Sequence, residues 1–297
     1  MSKILISGLV NTETVCRVRK FPIDYYPVDY PFFGISTAVS GVAYNIALAM
    51  KTLGDEVRLL SMTGSDFPAD YIKRELDKSG IGTEGLKEKL KETPNSVVLY
   101  DETGRRQIYC DLKDIQNTAY PFDPAVLDGI DLVAACNINF NRPLLRQAKA
   151  AGKTIATDVH VLSNIHDDYN REFMEHADIL FLSDEAVGDG WRDFMLALAN
   201  TYPCRIIVMG RGSKGAAMYL RETGEIMTLP AASAGKVVDT VGAWDSLFSS
   251  FLHFYAMGLA PVDALNRAQV FAAHKITVSG ASKGFVTEQT VEAWFSC

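Results

Sequence analysis

The stretch from residue 237 to residue 248, Val-Val-Asp-Thr-Val-Gly-Ala-Trp-Asp-Ser-Leu-Phe, holds the residues best suited to chemistry. It has the pattern of an apolar strand end, a turn of small residues and the start of a helix. A helix start offers unpaired N–H groups and the positive end of a dipole, so it suits a phosphate group. Asp245 at this place could accept a proton from an attacking hydroxyl. It could instead cap the helix, which is a common role for aspartate there.

Three further segments recur in a recognisable order along the chain. They are Gly8-x-x-Asn11-x-Glu13, Ser40-Gly41-Val42-Ala43-Tyr44-Asn45 leading to Leu53-Gly54, and Val208-Met209-Gly210-Arg211-Gly212-Ser213-Lys214-Gly215-Ala216. Together with Asp-Thr-x-Gly-Ala-x-Asp at residues 239–245, they resemble signatures of the PfkB, or ribokinase-like, family of carbohydrate and nucleoside kinases. The order and spacing agree over nearly the whole chain, and four motifs in order are far more specific than one.

The resemblance implies transfer of the γ-phosphoryl group of ATP to a hydroxyl of a sugar or nucleoside. Asp245 would be the general base, and the N–H groups of Gly242, Ala243 and Trp244 would form the anion hole. The substrate hydroxyls would face Asn11, Glu13, Gly41 and Asn45, and the nucleotide would lie beside Arg211, Gly212, Gly215, Thr240 and Gln269. Mg²⁺ would be held mainly by the phosphates, with Glu185 as the candidate protein ligand. A monovalent cation such as K⁺ is left open as a further cofactor.

The chain departs from the family pattern at the predicted catalytic turn. Trp244 stands where the family has a second glycine, which permits closer backbone approach than a large side chain does. Glu13 replaces the usual aspartate, and Glu185 lies one residue away from the glutamate of the family's Asn-x-x-Glu. An alternative is therefore a catalytically impaired sensor of sugars or nucleosides, in which Trp244 blocks the phosphate. A Rossmann oxidoreductase is disfavoured, because no GxGxxG follows the first strand.

The elements that must position these residues alternate between apolar strands and amphipathic helices. This pattern predicts a mostly parallel sheet covered on both faces, and the resemblance implies a ribokinase-like three-layer α/β/α sandwich over residues 1–297. Strands are predicted at Ile4–Val10, Val57–Met62, Leu132–Cys136, Thr154–Val159, Ile179–Leu182 and Arg205–Met209. Helices are predicted at Ala43–Leu53, Ala69–Ser79, Arg142–Ala151, Asp167–His176 and Ala186–Ala199.

Two segments break this alternation, approximately residues 12–38 and 95–113. The first holds a predicted strand, Cys16–Phe21, and the second a hairpin around Asp101–Gly104. We predict that they pair in one small sheet, which serves as a lid because phosphoryl transfer must exclude water. An extra edge sheet or a homodimer contact is the alternative. Aromatic residues in the first segment could stack on a ligand or form a dimer surface. They are Tyr25, Tyr26, Tyr30, Phe32 and Phe33.

Asp158 and His160 end one of the predicted strands, at the sheet edge where ligand crevices of α/β proteins lie. Asp158 either touches the site or has a structural role, and a structural role is expected of His160.

Composition narrows the remaining classes of function. The net charge of -7 and the pI of about 5.3 argue against a protein that binds nucleic acid or an anionic membrane surface. The five cysteines contain no CxxC pair, so neither a disulfide framework nor a zinc site is predicted. The first apolar run is too short for a signal peptide, and no stretch reaches about 18 apolar residues. A cytoplasmic location is therefore expected.

Overall fold

The computed structural model describes residues 2–295, so that Met1, Ser296 and Cys297 lie outside the described residues. The strands are β1 Lys3–Ser7, β2 Asn11–Arg17, β3 Ile35–Ser40, β4 Glu56–Thr63, β5 Leu86–Glu88, β6 Asn95–Tyr100, β7 Arg106–Asp111, β8 Leu132–Ala135, β9 Thr154–Val161, β10 Ile179–Ser183, β11 Ile206–Gly210, β12 Ala216–Leu220 and β13 Glu225–Leu229. The α-helices are α1 Val42–Leu53, α2 Phe67–Lys78, α3 Arg142–Ala150, α4 Arg171–His176, α5 Trp191–Thr201, α6 Ala243–Ala256, α7 Pro261–Lys275 and α8 Glu288–Trp294.

The large sheet has the strand order β13-β12-β11-β10-β9-β8-β1-β4-β5 within the described residues. Its pairs from β11 through to β5 are parallel, and β12 and β13 are added antiparallel at one edge. Parallel strands are usually buried on both faces. Along β1, Ile4 and Ile6 join one hydrophobic cluster while Leu5 joins the cluster on the opposite face. The sheet is therefore the middle of three layers.

The two faces of the large sheet carry different helices. The first cluster includes buried residues of α1, α2, α6 and α7, and the second includes residues of α3, α4 and α5. On the first face α1 packs against α6. This contact joins two helices that lie about two hundred residues apart in sequence, and each begins at one of the glycine-containing motifs.

A second sheet has the strand order β3-β2-β6-β7. Strand β2 pairs antiparallel with β3 and parallel with β6, and β6 forms a hairpin with β7. The predicted pairing of the two irregular segments in one small sheet is therefore confirmed. We call these four strands the small sheet.

Four predicted elements have wrong bounds. The first strand, predicted as Ile4–Val10, ends at Ser7. The first strand of the small sheet is Asn11–Arg17 and not Cys16–Phe21, and residues 18–21 lie outside any strand. The helix predicted from Asp167 begins only at Arg171. The helix predicted from Ala186 begins at Trp191, because a short 3₁₀ turn with glycines at both ends precedes it.

Among residues 2–295, no helix combines the length and the apolar character that crossing a membrane requires.

Candidate active site

The start of helix α6 presents free backbone donors. Gly242 precedes the helix with φ 77°, and a Cβ there would lie 2.4 Å from the carbonyl oxygen of Ala281, so the turn requires glycine. The N–H of Ala243 donates to the Thr240 carbonyl at 3.2 Å. Among the described residues, none accepts a hydrogen bond from the N–H of Gly242 or Trp244. Two of the three N–H groups predicted to form the anion hole are thus available to an anion.

Asp245 lies in the first turn of α6, beside these donors. Its Oδ2 accepts a hydrogen bond from Nδ2 of Asn45, on α1, at 2.7 Å. No other described residue donates to this carboxylate, so the capping geometry considered for Asp245 is not formed by the part of the chain described. Burial raises the pKa of Asp245 to about 6, while the Asn45 hydrogen bond and the positive charge of His160 act in the opposite direction. A carboxylate with such a pKa is mostly ionised at neutral pH and can accept a proton.

The Trp244 ring points away from the helix axis, onto the ends of the central strands. It covers Gly210 so closely that a Cβ on that glycine would lie 1.9 Å from the ring. The ring meets Phe181 edge-on with centroids 5.9 Å apart, and the indole N–H donates to Oδ2 of Asp158 at 2.5 Å. The tryptophan side chain therefore packs on β9, β10 and β11, and it leaves its own backbone N–H without a protein acceptor.

Asp158 and His160 form a charged pair at the end of β9. Asp158 is buried and accepts from the backbone N–H of His160 at 2.8 Å, and the His160 Nδ1 lies 3.0 Å from its Oδ2. His160 has φ 57°, which turns the ring back onto this carboxylate. The negative charge of Asp158 raises the pKa of His160 to about 9, so the imidazole is cationic at neutral pH. The positive charge of His160 also lowers the pKa of Asp245.

A cleft of about 850 Å³ separates the small sheet from two loops, residues 237–241 and 279–283. Glu13 lines this cleft, and burial raises the pKa of its carboxyl group. Asn11 lies beside it on β2, and its Nδ2 donates to the Ser96 hydroxyl at 3.2 Å. The buried Oδ1 atoms of Asn11 and Asn45 have no hydrogen-bond partner within residues 2–295. Buried amide oxygens usually find a donor, and a ligand hydroxyl would supply one.

Gly41, the fourth predicted substrate residue, directly precedes α1. Its φ is 104°, and a Cβ there would lie 2.5 Å from the Leu9 carbonyl oxygen. The glycine therefore lets the end of the small sheet come close to the chain after β1, which brings Asn45 toward Asp245.

Hydrogen bonds cross the cleft at two points. Arg106, at the start of β7, donates through Nη1 to the Thr240 hydroxyl at 3.3 Å. The hydroxyl of Ser282 donates to the Val39 carbonyl, on β3, at 3.4 Å. The small sheet thus contacts both loops that face it, and Thr240 lies at one of these contacts.

The predicted nucleotide-side turn follows β11. Because the Trp244 ring lies on Gly210, this turn is adjacent to the start of α6. Gly215 has φ 90° and would clash with the Leu229 carbonyl if it carried a Cβ, whereas the space around Gly212 is open. The Arg211 guanidinium stacks on the ring of Trp191, 4.2 Å from its centroid, and lies 3.6 Å from Asp184.

Among the described residues, Glu13 and Thr240 are the predicted site residues that line the cleft. Gln269 is buried in α7 and does not line the cleft. Glu185 is exposed in the loop after β10. Within the described residues, no group of three or more His, Cys, Asp and Glu side chains could hold a metal ion. Two acids beside Asp245 are already engaged, Asp158 by Trp244 and His160, and Asp239 by the N–H groups of Val241 and Gly280. The donor set therefore fits Mg²⁺ carried by nucleotide phosphates better than Mg²⁺ held in a cage of protein ligands.

Comparison with known proteins agrees with this geometry. The family model described as pfkB family carbohydrate kinase matches residues 1–288. A nucleoside kinase from Methanocaldococcus jannaschii is 24% identical over 261 residues, which are 87% of this chain and 85% of that protein.

Solved structures show the same fold. A microbiome-derived acarbose kinase superposes with a TM-score of 0.88 at 24% identity, covering 100% of this chain and 99% of that chain. Arabidopsis thaliana ribokinase, complexed with ribose and ATP, superposes with a TM-score of 0.83 at 17% identity, with all of both chains covered. The predicted ribokinase-like sandwich with a mostly parallel sheet and a small second sheet is confirmed. Since the family model spans nearly the whole sequence, the chain belongs to the pfkB family of carbohydrate kinases.

Proposed function

We propose that this protein transfers the γ-phosphoryl group of ATP to a hydroxyl group of a sugar or a nucleoside. The observation that carries this proposal is the position of Asp245, a carboxylate with a pKa of about 6, beside the free N–H groups of Gly242 and Trp244. One turn of helix thus offers a proton acceptor and donors for an anion. That combination is what an attacking hydroxyl and a phosphoryl group require.

The roles of the residues follow from their positions. Asn45 holds the Asp245 carboxylate by its amide N–H and leaves its own oxygen free for a substrate hydroxyl. Asp245 takes the proton of the attacking hydroxyl as its oxygen bonds to the γ-phosphorus, while the bond from that phosphorus to the β,γ-bridging oxygen breaks and ADP leaves with the electron pair. The N–H groups at the start of α6 and the cationic His160 counter the charge on the transferring group. Mg²⁺, when bound with the nucleotide, neutralises phosphate charge.

The acceptor is proposed to be rich in hydroxyl groups. The Glu13 carboxyl lines the cleft, and the buried amide oxygens of Asn11 and Asn45 have no partner within residues 2–295; such groups suit hydroxyl donors and acceptors. The relatives named above are a nucleoside kinase, an acarbose kinase and a ribokinase, and ribose, acarbose and nucleosides all present several hydroxyls. The small sheet is proposed to act as the lid that closes on this acceptor, because it already contacts both loops across the cleft.

A screen of sugars and nucleosides, with and without Mg·ATP, tests the proposed function. Thermal shift reports binding, and a coupled assay of ADP release reports turnover. Substrate-dependent ADP release is the expected result. If compounds bind and stabilise the protein but none is phosphorylated, the impaired sensor is the better description.

We predict a pH dependence that reports the proposed base. Because Asp245 must be ionised to accept a proton and its pKa is raised to about 6, kcat/KM should fall about tenfold per unit below that pH. Initial rates between about pH 5 and pH 8, at constant ionic strength, measure this. A profile flat down to pH 5 would contradict the assignment.

We also predict a homodimer formed through the small sheet. The small sheet and the loop between β2 and β3 expose large apolar side chains, and all six residues of the edge strand β7 are exposed. Exposed apolar patches and open strand edges are typical of surfaces that a partner covers. The exposed side chains include Tyr30, Phe32, Phe33, Ile108 and Tyr109. Light scattering should give twice the chain mass, and Ile108→Lys should shift it to the monomer. A monomer at all concentrations tested would contradict this prediction.

A further inference from the structure

Lys275 is a charged residue that the proposed chemistry does not use. It ends helix α7 and its side chain is fully buried, which is unusual for lysine. Its Nζ donates to the backbone carbonyl of Asp239 at a distance of 3.5 Å. Among the described residues, no carboxylate lies within ion-pair distance of this ammonium. A buried cation without close partners is unfavourable, so a position such as this calls for a physical explanation.

The Lys275 ammonium lies under the turn that carries the anion hole. The Asp239 carboxylate accepts the N–H groups of Val241 and Gly280, each at 2.9 Å. The carbonyl of Ile276, next to Lys275, accepts the N–H groups of Val238 and Asp239 at 2.8 and 3.1 Å. The end of α7 and the loop after it therefore hold the turn through its backbone and through the Asp239 side chain.

The charges around the ammonium are mostly negative. Desolvation lowers the pKa of Lys275, whereas the carboxylates of Asp239, Asp245 and Glu13 raise it and the Arg106 guanidinium lowers it. Three carboxylates, on the turn, on α6 and on the small sheet, thus act electrostatically on the ammonium. They compensate part of the free-energy cost of desolvating the ammonium, although none of them forms a direct ion pair with it.

We propose that Lys275 is a tethered cation that holds the turn at residues 239–242 in its anion-binding form and takes the place of a bound monovalent cation. Monovalent cations are bound by carbonyl and carboxylate oxygens, and here the Asp239 carbonyl is already engaged by an ammonium. A second cation beside it would be repelled. The structure therefore does not fit K⁺ at this turn, although the sequence left K⁺ open. Lys275 is a positioning residue, because it acts through the turn and does not touch the reacting groups.

The consequence for catalysis rests on the proposed function, but the tethered cation can be tested without a phosphoryl acceptor. The readouts are ATP affinity by calorimetry and the melting temperature, each in choline, sodium and potassium chloride at matched ionic strength. For the wild type we expect ATP affinity to vary by less than about twofold among the three salts. A gain in affinity or in melting temperature specific to K⁺ would overturn the proposal, because it would reveal a site for a free cation.

Two variants separate the charge from the packing of the side chain. Lys275→Ala removes the ammonium and leaves room for a small ion, so ATP affinity should fall about tenfold in choline chloride and recover with KCl or NH₄Cl. Lys275→Met keeps the apolar stem, fills the space and lacks the charge, so its affinity should fall without recovery. Equal ATP affinity of Lys275→Ala and wild type in choline chloride would overturn the proposal, as would failure of both ions to restore it. If neither variant folds, the proposal is decided by the ATP affinity and melting temperature of the wild type in the three salts.

The same measurements distinguish failure of the tethered-cation proposal from failure of the proposed kinase function. A protein that binds ATP with the expected salt pattern but phosphorylates nothing retains its tethered cation and loses only the kinase assignment.

Discussion

Asp245→Asn is expected to lower kcat by about 10²–10⁴-fold while ATP affinity changes by less than about twofold. The asparagine is nearly isosteric and can still accept the hydrogen bond that Asn45 donates, so the geometry of the turn is preserved. What is lost is the ability to take up the proton of the attacking hydroxyl. Steady-state rates on an acceptor found by the screen, with ATP binding by calorimetry, measure both quantities.

The same substitution should stabilise the fold at neutral pH. The pKa of Asp245 is raised from 3.8 to about 6 in the folded protein, so the unfolded chain releases this proton more readily. The contribution of Asp245 to stability is therefore fully present below about pH 4 and is lost as the pH rises through 6. Above pH 6, Asp245→Asn should raise the free energy of unfolding by about 1–3 kcal/mol, and the gain should disappear near pH 4.

A matched control is Asp263→Asn, since Asp263 also lies in the first turn of a helix but is exposed and away from the cleft. Its turnover should equal that of the wild type. Near-wild-type turnover of Asp245→Asn would instead show that Asp245 is no general base, and the proposed mechanism would fail with it.

The site residues that could be predicted from the sequence belong to short local patterns. Asp245 and Asn45 each belong to a short motif with its own glycine, and the structure brings these two side chains within 2.7 Å. Most of the large sheet was predictable for a similar reason, because six of its parallel strands are short apolar runs, whereas the parallel edge strand β5, Leu-Lys-Glu, is not and was not predicted. Where glycines or prolines interrupt the pattern, as before Trp191, the bounds were wrong by several residues.

The residues that the sequence missed act through contacts distant along the chain. The pattern around Lys275 is that of an ordinary charged helix end, and only the fold shows that its ammonium is buried under the turn at Asp239. Arg106 lies in an exposed hairpin strand, and its contact with Thr240 joins residues 134 positions apart. His160 was predicted to lie at the end of a strand. No local pattern indicated its left-handed backbone conformation or the effect of its charge on the pKa of Asp245.

Trp244→Gly should strongly destabilise the protein and change turnover much less. The ring fills the space above Gly210 and beside Phe181, so its removal leaves a cavity at the ends of the central strands. It also removes the indole donor of the buried Asp158 carboxylate. Loss of such a side chain lowers the free energy of unfolding by about 3–5 kcal/mol, and glycine within a helix lowers it by about 1 kcal/mol more. Urea denaturation of both proteins at one pH measures the difference.

Turnover should change by less than about tenfold in either direction, because the N–H of residue 244 remains at the start of α6 and Asp245 keeps its partner Asn45. Trp244→Phe is the matched control, since it keeps most of the ring packing and lacks the donor to Asp158. Both variants lack the indole donor, so the stability that Trp244→Phe retains over Trp244→Gly reports packing, and the difference between wild type and Trp244→Phe reports mainly the hydrogen bond. The opposite pattern, a wild type inert on every acceptor and a Trp244→Gly variant that turns over, would mean that the tryptophan blocks the phosphoryl path and that the natural protein is a sensor.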